Sequence, residues 1–368
     1  MKKFDIVIIG AGPGGSFAAM IAAEEGYSTC LIEKEKLGKN GRYKACGGAI
    51  PWELIEEINY PEDKISRIFD SLELHHVDGE SFTKKTKGAL VWRNIFDKYL
   101  SDLAKNSGVL FRDNNRLICI EKTAGSYQII TQKEKFSADY IIAADGVNST
   151  TIKLLNWPYF KKEDLALTIT QERRSSKSYI DKTLGSNSVH LFFGIKDLIP
   201  VGYAYLFPKL EKITVGWGSQ INLIKNSRIE FDKFIQLPYV KKALLNSRLE
   251  KYTAHLIPMG ERPILFENNV FAVGDAGGFV DPINGAGIPY AMMSGQYAID
   301  SIKKCENRGK LGELGAYYEK LLERKFLKIL RLKRQIRDKI FSNDDTLKEF
   351  LSLWEKHDSM EIVMKKLI

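Results

Sequence analysis

The chain has 368 residues, 44% hydrophobic and 27% charged, and 55 Lys and Arg against 46 Asp and Glu give a net charge of +9. This composition supplies a sizeable core for two or three structural units and excludes a disordered tail, a collagen-like chain and a small disulfide-stapled module. The positive balance admits nucleic acid, a membrane surface or an anionic substrate as partner, and does not choose among them.

Lys2 and Lys3 precede an uncharged run, Ile6 to Ala23, with the outline of a leader or anchor. Asp5 at its head, with Pro13 and four glycines inside it, argues against that reading, since a removable apolar helix has no use for helix-weakening residues. A cytoplasmic protein is expected, with peripheral membrane attachment as a further option. The same run has a better explanation. Phe4 to Ile9 reads as a strand buried on both faces, Gly10-Ala-Gly12-Pro-Gly-Gly15 as a tight turn, and Ser16 to Glu25 as a helix. Ser28 to Ile32 follows as a second strand ending on Glu33.

In that unit Gly10 permits the turn, Gly12 lets backbone approach a pyrophosphate, and Gly15 lets helix and strand pack closely. The helix start offers N–H groups to the anion. Glu33 stands where a carboxylate accepts hydrogen bonds from an adenosine ribose, which favours FAD or NAD over NADP. Two later segments repeat the strand-and-turn pattern. Tyr140 to Ala144 runs into Asp145-Gly146, and Phe271 to Val273 runs into Gly274-Asp275, followed by Pro282-Ile-Asn-Gly285-Ala286-Gly287 at a helix start. Asp275 is suited to a sugar-alcohol hydroxyl, and the N–H groups around Gly285 and Gly287 to negative charge on a reduced flavin.

These three segments, in this order, resemble the p-hydroxybenzoate hydroxylase-like flavoprotein superfamily, which implies a tightly held FAD. Where that superfamily usually places an Arg after its Asp-Gly motif, Lys153 stands here. The stretch GDAGGFVDPINGAGIPYAMMSG resembles the geranylgeranyl reductase family. So do Lys44-Ala-Cys46-Gly47-Gly48, the helix start Arg93-Asn-Ile-Phe96-Asp97, and Pro200-Val-Gly-Tyr203-Ala-Tyr205-Leu-Phe207-Pro208, with Tyr205 where Trp is usual. The resemblance implies Lys44 and Arg93 beside FAD. It implies Gly47, Gly48, Tyr203, Tyr205, Phe207 and Pro208 around an isoprenoid or prenyl-lipid substrate, and Cys46, Gly285 and Gly287 at the reacting centre. Cys46 is read as an acid, a group that tunes the flavin, or a disulfide partner of Cys305.

The implied reaction is hydride transfer from reduced FAD to a C=C bond. The same motifs admit two rivals: an FAD-dependent monooxygenase or halogenase of the same fold, and a membrane-associated flavin electron carrier. No second GxGxxG is present, so an external donor, NAD(P)H or a ferredoxin-like protein, is expected. The four cysteines (Cys30, Cys46, Cys119, Cys305) form no CxxC, and the five histidines no HExxH, so no metal site is expected. His75, His76, His190 and His255 are given structural roles, as no carboxylate pairs with them at short spacing.

The fold class is α/β: an FAD-binding Rossmann-like (GR2-type) domain with an inserted antiparallel β-sheet substrate domain and a C-terminal helical region. The boundaries are 1–58, 93–157 and 262–310 for the first, 59–92 and 158–261 for the second, and 311–368 for the third. Glu319 to Ile340 reads as one helical stretch of net charge +6. Its apolar stripe of Leu322, Phe326, Ile329, Leu330 and Ile336 is broken at Lys333. Flanking basic residues suit an anionic membrane surface, and no nucleic-acid-binding module accompanies them.

Overall fold

A computed structural model describes residues 1–76, 78–194 and 198–367. Two eight-stranded sheets carry the fold. The first has the order Phe266–Glu267, Val270–Ala272, Lys135–Ala143, Lys2–Ile9, Thr29–Ile32, Leu110–Arg112, with the hairpin Leu117–Lys122/Tyr127–Thr131 beside Lys135–Ala143. Its central pairs are parallel, and Ile6, Val7, Ile8, Ile141 and Ile142 are fully buried, as expected for strands covered on both faces.

Register brings the three motifs to one edge. Ile9 lies opposite both Ile32 and Ala143, and Ala143 opposite Ala272. Gly10, Glu33, Ala144 and Val273 therefore leave the sheet side by side, at the carboxyl ends where a crevice forms. Gly10 has φ +104°, and a Cβ there would lie 2.4 Å from the Ala144 carbonyl oxygen. The helix Pro13–Glu24 crosses Ile288–Asn307 so closely that a Cβ on Gly295 would meet the Gly14 oxygen at 2.5 Å.

The second sheet has the order Arg248–Pro258, Leu165–Arg174, Lys212–Gln220, Gly202–Pro208, Ser188–Phe193, Ile65–His76, Ser81–Val91, Ala49–Pro51. It departs from the sequence reading twice. Ser188–Phe193 pairs with Ile65–His76 in parallel, so the sheet is mixed rather than purely antiparallel. A long excursion separates those two strands in sequence, and a parallel junction needs such a connection. Ala49–Pro51, read as part of the flavin segment, pairs instead with Ser81–Val91.

The stretch read as one basic helix is divided. Leu314–Leu322 passes through a wide π-helical turn, Glu323–Leu327, into Lys328–Ile340; Asp344–Lys356 and Met360–Leu367 follow. Leu322, Phe326, Leu330 and Ile336 are buried as the stripe requires. The charge is less outward than expected: Lys333 and Arg337 are buried, and Arg331 and Arg334 pair with Glu261 and Asp164. Among the described residues, no helix is long and apolar enough to cross a membrane.

All four cysteines are free, so Cys46 has no disulfide to Cys305, which is buried in the core beneath the first sheet's helices. His75 and His190 stack with ring nitrogens 3.0 Å apart, a packed pair in keeping with a structural role. His76 departs from the expectation, because its Nδ1 lies 2.9 Å from Asp78 Oδ1 across the hairpin turn.

Candidate functional site

The aligned strand ends open into a cleft of about 380 Å³ lined by Gly10, Gly12, Glu33, Lys44, Arg93 and Asp145, and by Arg42 and His255 from farther along the chain. A Cβ on Gly12 would meet nothing within 4 Å, so the backbone at the first helix faces open space. Gly15 is instead tight: its Cβ would lie 1.9 Å from the Gly10 oxygen, which makes it a packing glycine. Glu33 is 2% exposed, and its carboxylate accepts from the backbone N–H groups of Ala11 (2.9 Å) and Glu35 (3.0 Å) and from Arg42.

Cations and carboxylates alternate around this cleft. Arg93 forks onto Asp97 at 2.8 and 3.0 Å, and Arg42 joins the same carboxylate. Burial alone would raise the Asp97 carboxyl, but Arg93 and Arg42 outweigh it and hold it below its ordinary value. Lys44 Nζ lies 3.0 Å from Asp275 Oδ2, tying the Cys-Gly-Gly segment to the Gly-Asp motif across the cleft. Burial again works to raise Asp275, and Lys44 reverses it.

Asp145 lines the cleft, and its carboxylate is also engaged within its own motif. Its oxygens accept from Ser149 Oγ, from Thr151 N at 2.9 Å and from Thr151 Oγ1 at 3.1 Å, so it secures the Asp-Gly turn and the start of the next helix. Lys153, in the place of the usual Arg, is exposed. Arg262 does the joining instead, donating to the carbonyls of Ala276, Pro158 and Val147 and so stapling the second motif to the third.

The Gly274–Gly287 segment continues past Asp275 into a compact loop. Asp281 Oδ1 accepts from Ile283 N and Asn284 N, Gly285 N donates to the Asp281 oxygen, and Ala286 N to Asn284 Oδ1. Gly285 has φ +69°, and Gly287 caps the helix Ile288–Asn307. Tyr203 Oη donates to the Asn284 oxygen at 2.6 Å, so the second sheet touches this loop directly.

From Tyr203 an aromatic track runs along one face of the strand Gly202–Pro208, with centroids 6.1 Å from Tyr203 to Tyr205 and 4.5 Å from Tyr205 to Phe207. Glycines make room for it: a Cβ on Gly47 would lie 2.4 Å from the Phe207 ring, and one on Gly216 would lie 1.9 Å from the Tyr205 ring. Gly48 has φ +77°, a Cβ there would lie 2.2 Å from the Val91 carbonyl oxygen, and Pro208 ends the strand. Cys46 is half-buried, with Gly48 N donating to its Sγ at 3.4 Å. Burial raises the Tyr203 and Tyr205 hydroxyls above their ordinary range, with Cys46 adding to both. An apolar recess of about 40 Å³ lies between Tyr203, Tyr205, Ile257, Met259, Val280 and Ile283.

These residues fit FAD. The open backbone at Gly12, the carboxylate of Glu33 and the cations Arg42, Lys44 and Arg93 suit a dinucleotide. His255 Nε2 is buried without a hydrogen-bond partner among the described residues, on a residue that lines the same cleft.

The comparisons agree. A family model described as FAD dependent oxidoreductase matches residues 5–147. A digeranylgeranylglycerophospholipid reductase from Methanococcus vannielii is 30% identical over 343 residues, covering 89% of this chain and 84% of that protein. The chain belongs to the geranylgeranyl reductase family. A chloroplastic geranylgeranyl diphosphate reductase from Arabidopsis thaliana is 28% identical over 342 residues, covering 87% of this chain and 70% of that one. In structure, a geranylgeranyl bacteriochlorophyll reductase-like protein from Thermoplasma acidophilum matches with TM-score 0.86 at 24% identity, covering 100% of this chain and 96% of that one. The flavin-dependent brominase Bmp2 matches at TM-score 0.77 and 16% identity over 99% and 98%, which shows a shared fold.

This reductase-family cleft holds residues that sequence reasoning passed over. Arg42 sits in an irregular segment with no periodicity to mark it, and Asp97 owes its role to Arg42, a partner 55 residues away. Tyr43 donates to Glu172, which is 3% exposed on the second sheet, a contact between residues far apart in sequence. His255 was assigned to structure, yet it lines the cleft. Burial, then the Lys44 ammonium, push its imidazolium down to about 4 against the pull of Asp275. An unfolded His takes its proton near pH 6.5, so between pH 6.5 and about 4 the unfolded state binds more protons and stability falls as the pH drops. The contribution is fully present above pH 6.5. His255→Gln is expected to flatten part of that acid slope in the thermal midpoint; an unchanged slope would refute the assignment.

Proposed function

We propose that the protein saturates C=C bonds of a geranylgeranyl-type isoprenoid chain, carried on a prenyl precursor or a lipid. One observation carries this reading: the aromatic track Tyr203–Tyr205–Phe207 packs against Gly47 on one side and reaches the Gly285–Gly287 loop through Tyr203 on the other. The methanococcal and plant relatives, both named for geranylgeranyl substrates, support it. An isolated alkene offers no polar handle, so an enzyme must hold it by shape in a dry, apolar site.

Bound reduced FAD supplies the hydride. The chain's own residues do the rest. Gly12, Glu33, Arg42, Lys44, Arg93 and Asp275 hold the cofactor. The Gly287 N–H, at the start of the helix Ile288–Asn307, favours negative charge beside it, and the Gly285 and Ala286 N–H groups hold the loop that presents it. Tyr203, Tyr205 and Phe207 exclude water and orient the chain, with Cys46 in the segment that packs against them through Gly47. The recess of about 40 Å³ has room for little more than one methylene group.

The electron donor in this reading is external, NAD(P)H or a ferredoxin-like protein. Peripheral contact with an anionic membrane rests on the exposed Lys320, Arg324, Lys325 and Lys328 rather than on the whole basic stretch. The test is single-turnover reoxidation. Dithionite-reduced, FAD-loaded protein mixed anaerobically with geranylgeranyl diphosphate or a geranylgeranyl lipid should return to the oxidised flavin spectrum. Reoxidation that needs oxygen and consumes it with substrate would favour a monooxygenase or halogenase; no response to any alkene would favour an electron carrier.

A further inference from the structure

The amphipathic stripe of the C-terminal helix is broken at Lys333, where the pattern calls for an apolar side chain. Lys333 is nonetheless 6% exposed. Burying an ammonium costs several kcal/mol unless it is paired and hydrogen-bonded, so its partner explains its presence. That partner is Asp281, 2% exposed, whose Oδ2 takes the Lys333 Nζ. The same carboxylate uses Oδ1 to hold the N–H groups of Ile283 (2.9 Å) and Asn284 (3.2 Å), while the Asp281 backbone bonds to Ala286 and Gly285. Tyr203 grips the loop from the opposite side at Asn284.

We infer that Lys333 is a positioning residue for the flavin: through Asp281 it fixes the 281–287 loop, whose Gly285 and Ala286 N–H groups are used within the loop, so that the Gly287 N–H at the helix start favours the reduced cofactor over the oxidised one. The inference rests on the reading of this loop as flavin-facing. Lys333 and Tyr203 hold the loop from opposite sides, and a helix-start dipole acts only over about its first turn, so its aim depends on both anchors. The C-terminal helical region is then part of the redox site, although none of its residues lines the cleft.

The test measures affinity for oxidised and for dithionite-reduced FAD on the full chain. Lys333→Met should lower the preference for the reduced form about three- to tenfold, while affinity for oxidised FAD changes little. Should that variant fold poorly, because Asp281 is left buried and unpaired, the double variant Lys333→Met/Asp281→Asn removes both charges and keeps an acceptor for Ile283 and Asn284. It should show the same lowered preference with a near-normal thermal midpoint. Lys333→Arg, which keeps the cation, should recover part of it. A wild-type preference in the folded double variant would overturn the proposal and leave Lys333 as a structural clamp. No prenyl substrate enters the measurement, so a failure of the alkene-reduction reading would be seen separately, as absent turnover in the wild type.

Discussion

Asp275→Ala is expected to deprive the protein of its flavin. Asp275 stands just past the strand Val270–Ala272, and its carboxylate accepts from Lys44 Nζ at 3.0 Å. Removing it takes away a charged acceptor for the cofactor's sugar-alcohol hydroxyls and leaves a half-buried ammonium without its carboxylate. A charged hydrogen bond contributes about 1.5–3 kcal/mol, so FAD affinity should fall roughly 10- to 100-fold and purified protein should lose its yellow colour. Asp275→Asn, which keeps an oxygen acceptor, should lose less. A colourless Ala variant that regains full affinity on titration, or one that retains FAD on purification, would contradict the role given to Asp275.

The second large effect separates the substrate wall from the cofactor. A Cβ at Gly216 would lie 1.9 Å from the Tyr205 ring and 2.4 Å from its hydroxyl oxygen, with Tyr205 itself buried. Gly216→Ala must therefore displace the ring, and overpacking of this kind costs about 1–3 kcal/mol. The displaced ring moves into the apolar recess or toward Thr170, whose Oγ1 is 3.5 Å from the hydroxyl. Alkene turnover should fall about 10- to 100-fold with FAD still bound. Normal turnover would show that the track does not form the wall; loss of FAD would show that it serves the cofactor instead.

The parts of this fold that were legible in sequence are those fixed by local backbone demands. Gly10 and Gly15 are required by close backbone approach, and the apolar runs around them suit only buried strands, so the first motif stands where its spacing put it. Period-two alternation likewise located the strand Gly202–Pro208, and the helix Arg93–Asn106 begins at its Arg. What was hidden depends on partners distant in sequence. Nothing near Arg42 announces that it joins Glu33 to Asp97, and nothing near His255 places it in the cleft. Ser188–Phe193 looks like any alternating strand, and its parallel neighbour is set by the path of the chain between them. Lys333 is the instructive case. It was visible as a break in a stripe, but the meaning of the break needed Asp281 beside it.

The net charge of +9 belongs to this second kind of feature. Its C-terminal concentration suggests a surface for anionic lipid, yet four of those cations face inward or hold carboxylates. Part of the excess therefore docks the C-terminal helices, through Lys333, Arg334 and Arg331, onto Asp281, Asp164 and Glu261.

The central claim is that this cleft hydrogenates an isoprenoid alkene, and product mass tests it most directly. FAD-loaded protein, reduced with dithionite under anaerobic conditions and given geranylgeranyl diphosphate or a geranylgeranyl lipid, should yield products heavier by whole hydrogen pairs, with about 10- to 100-fold less formed by Gly216→Ala at matched early times. Unchanged substrate mass across both classes, from protein whose flavin is fully bound and reduced, would contradict the account.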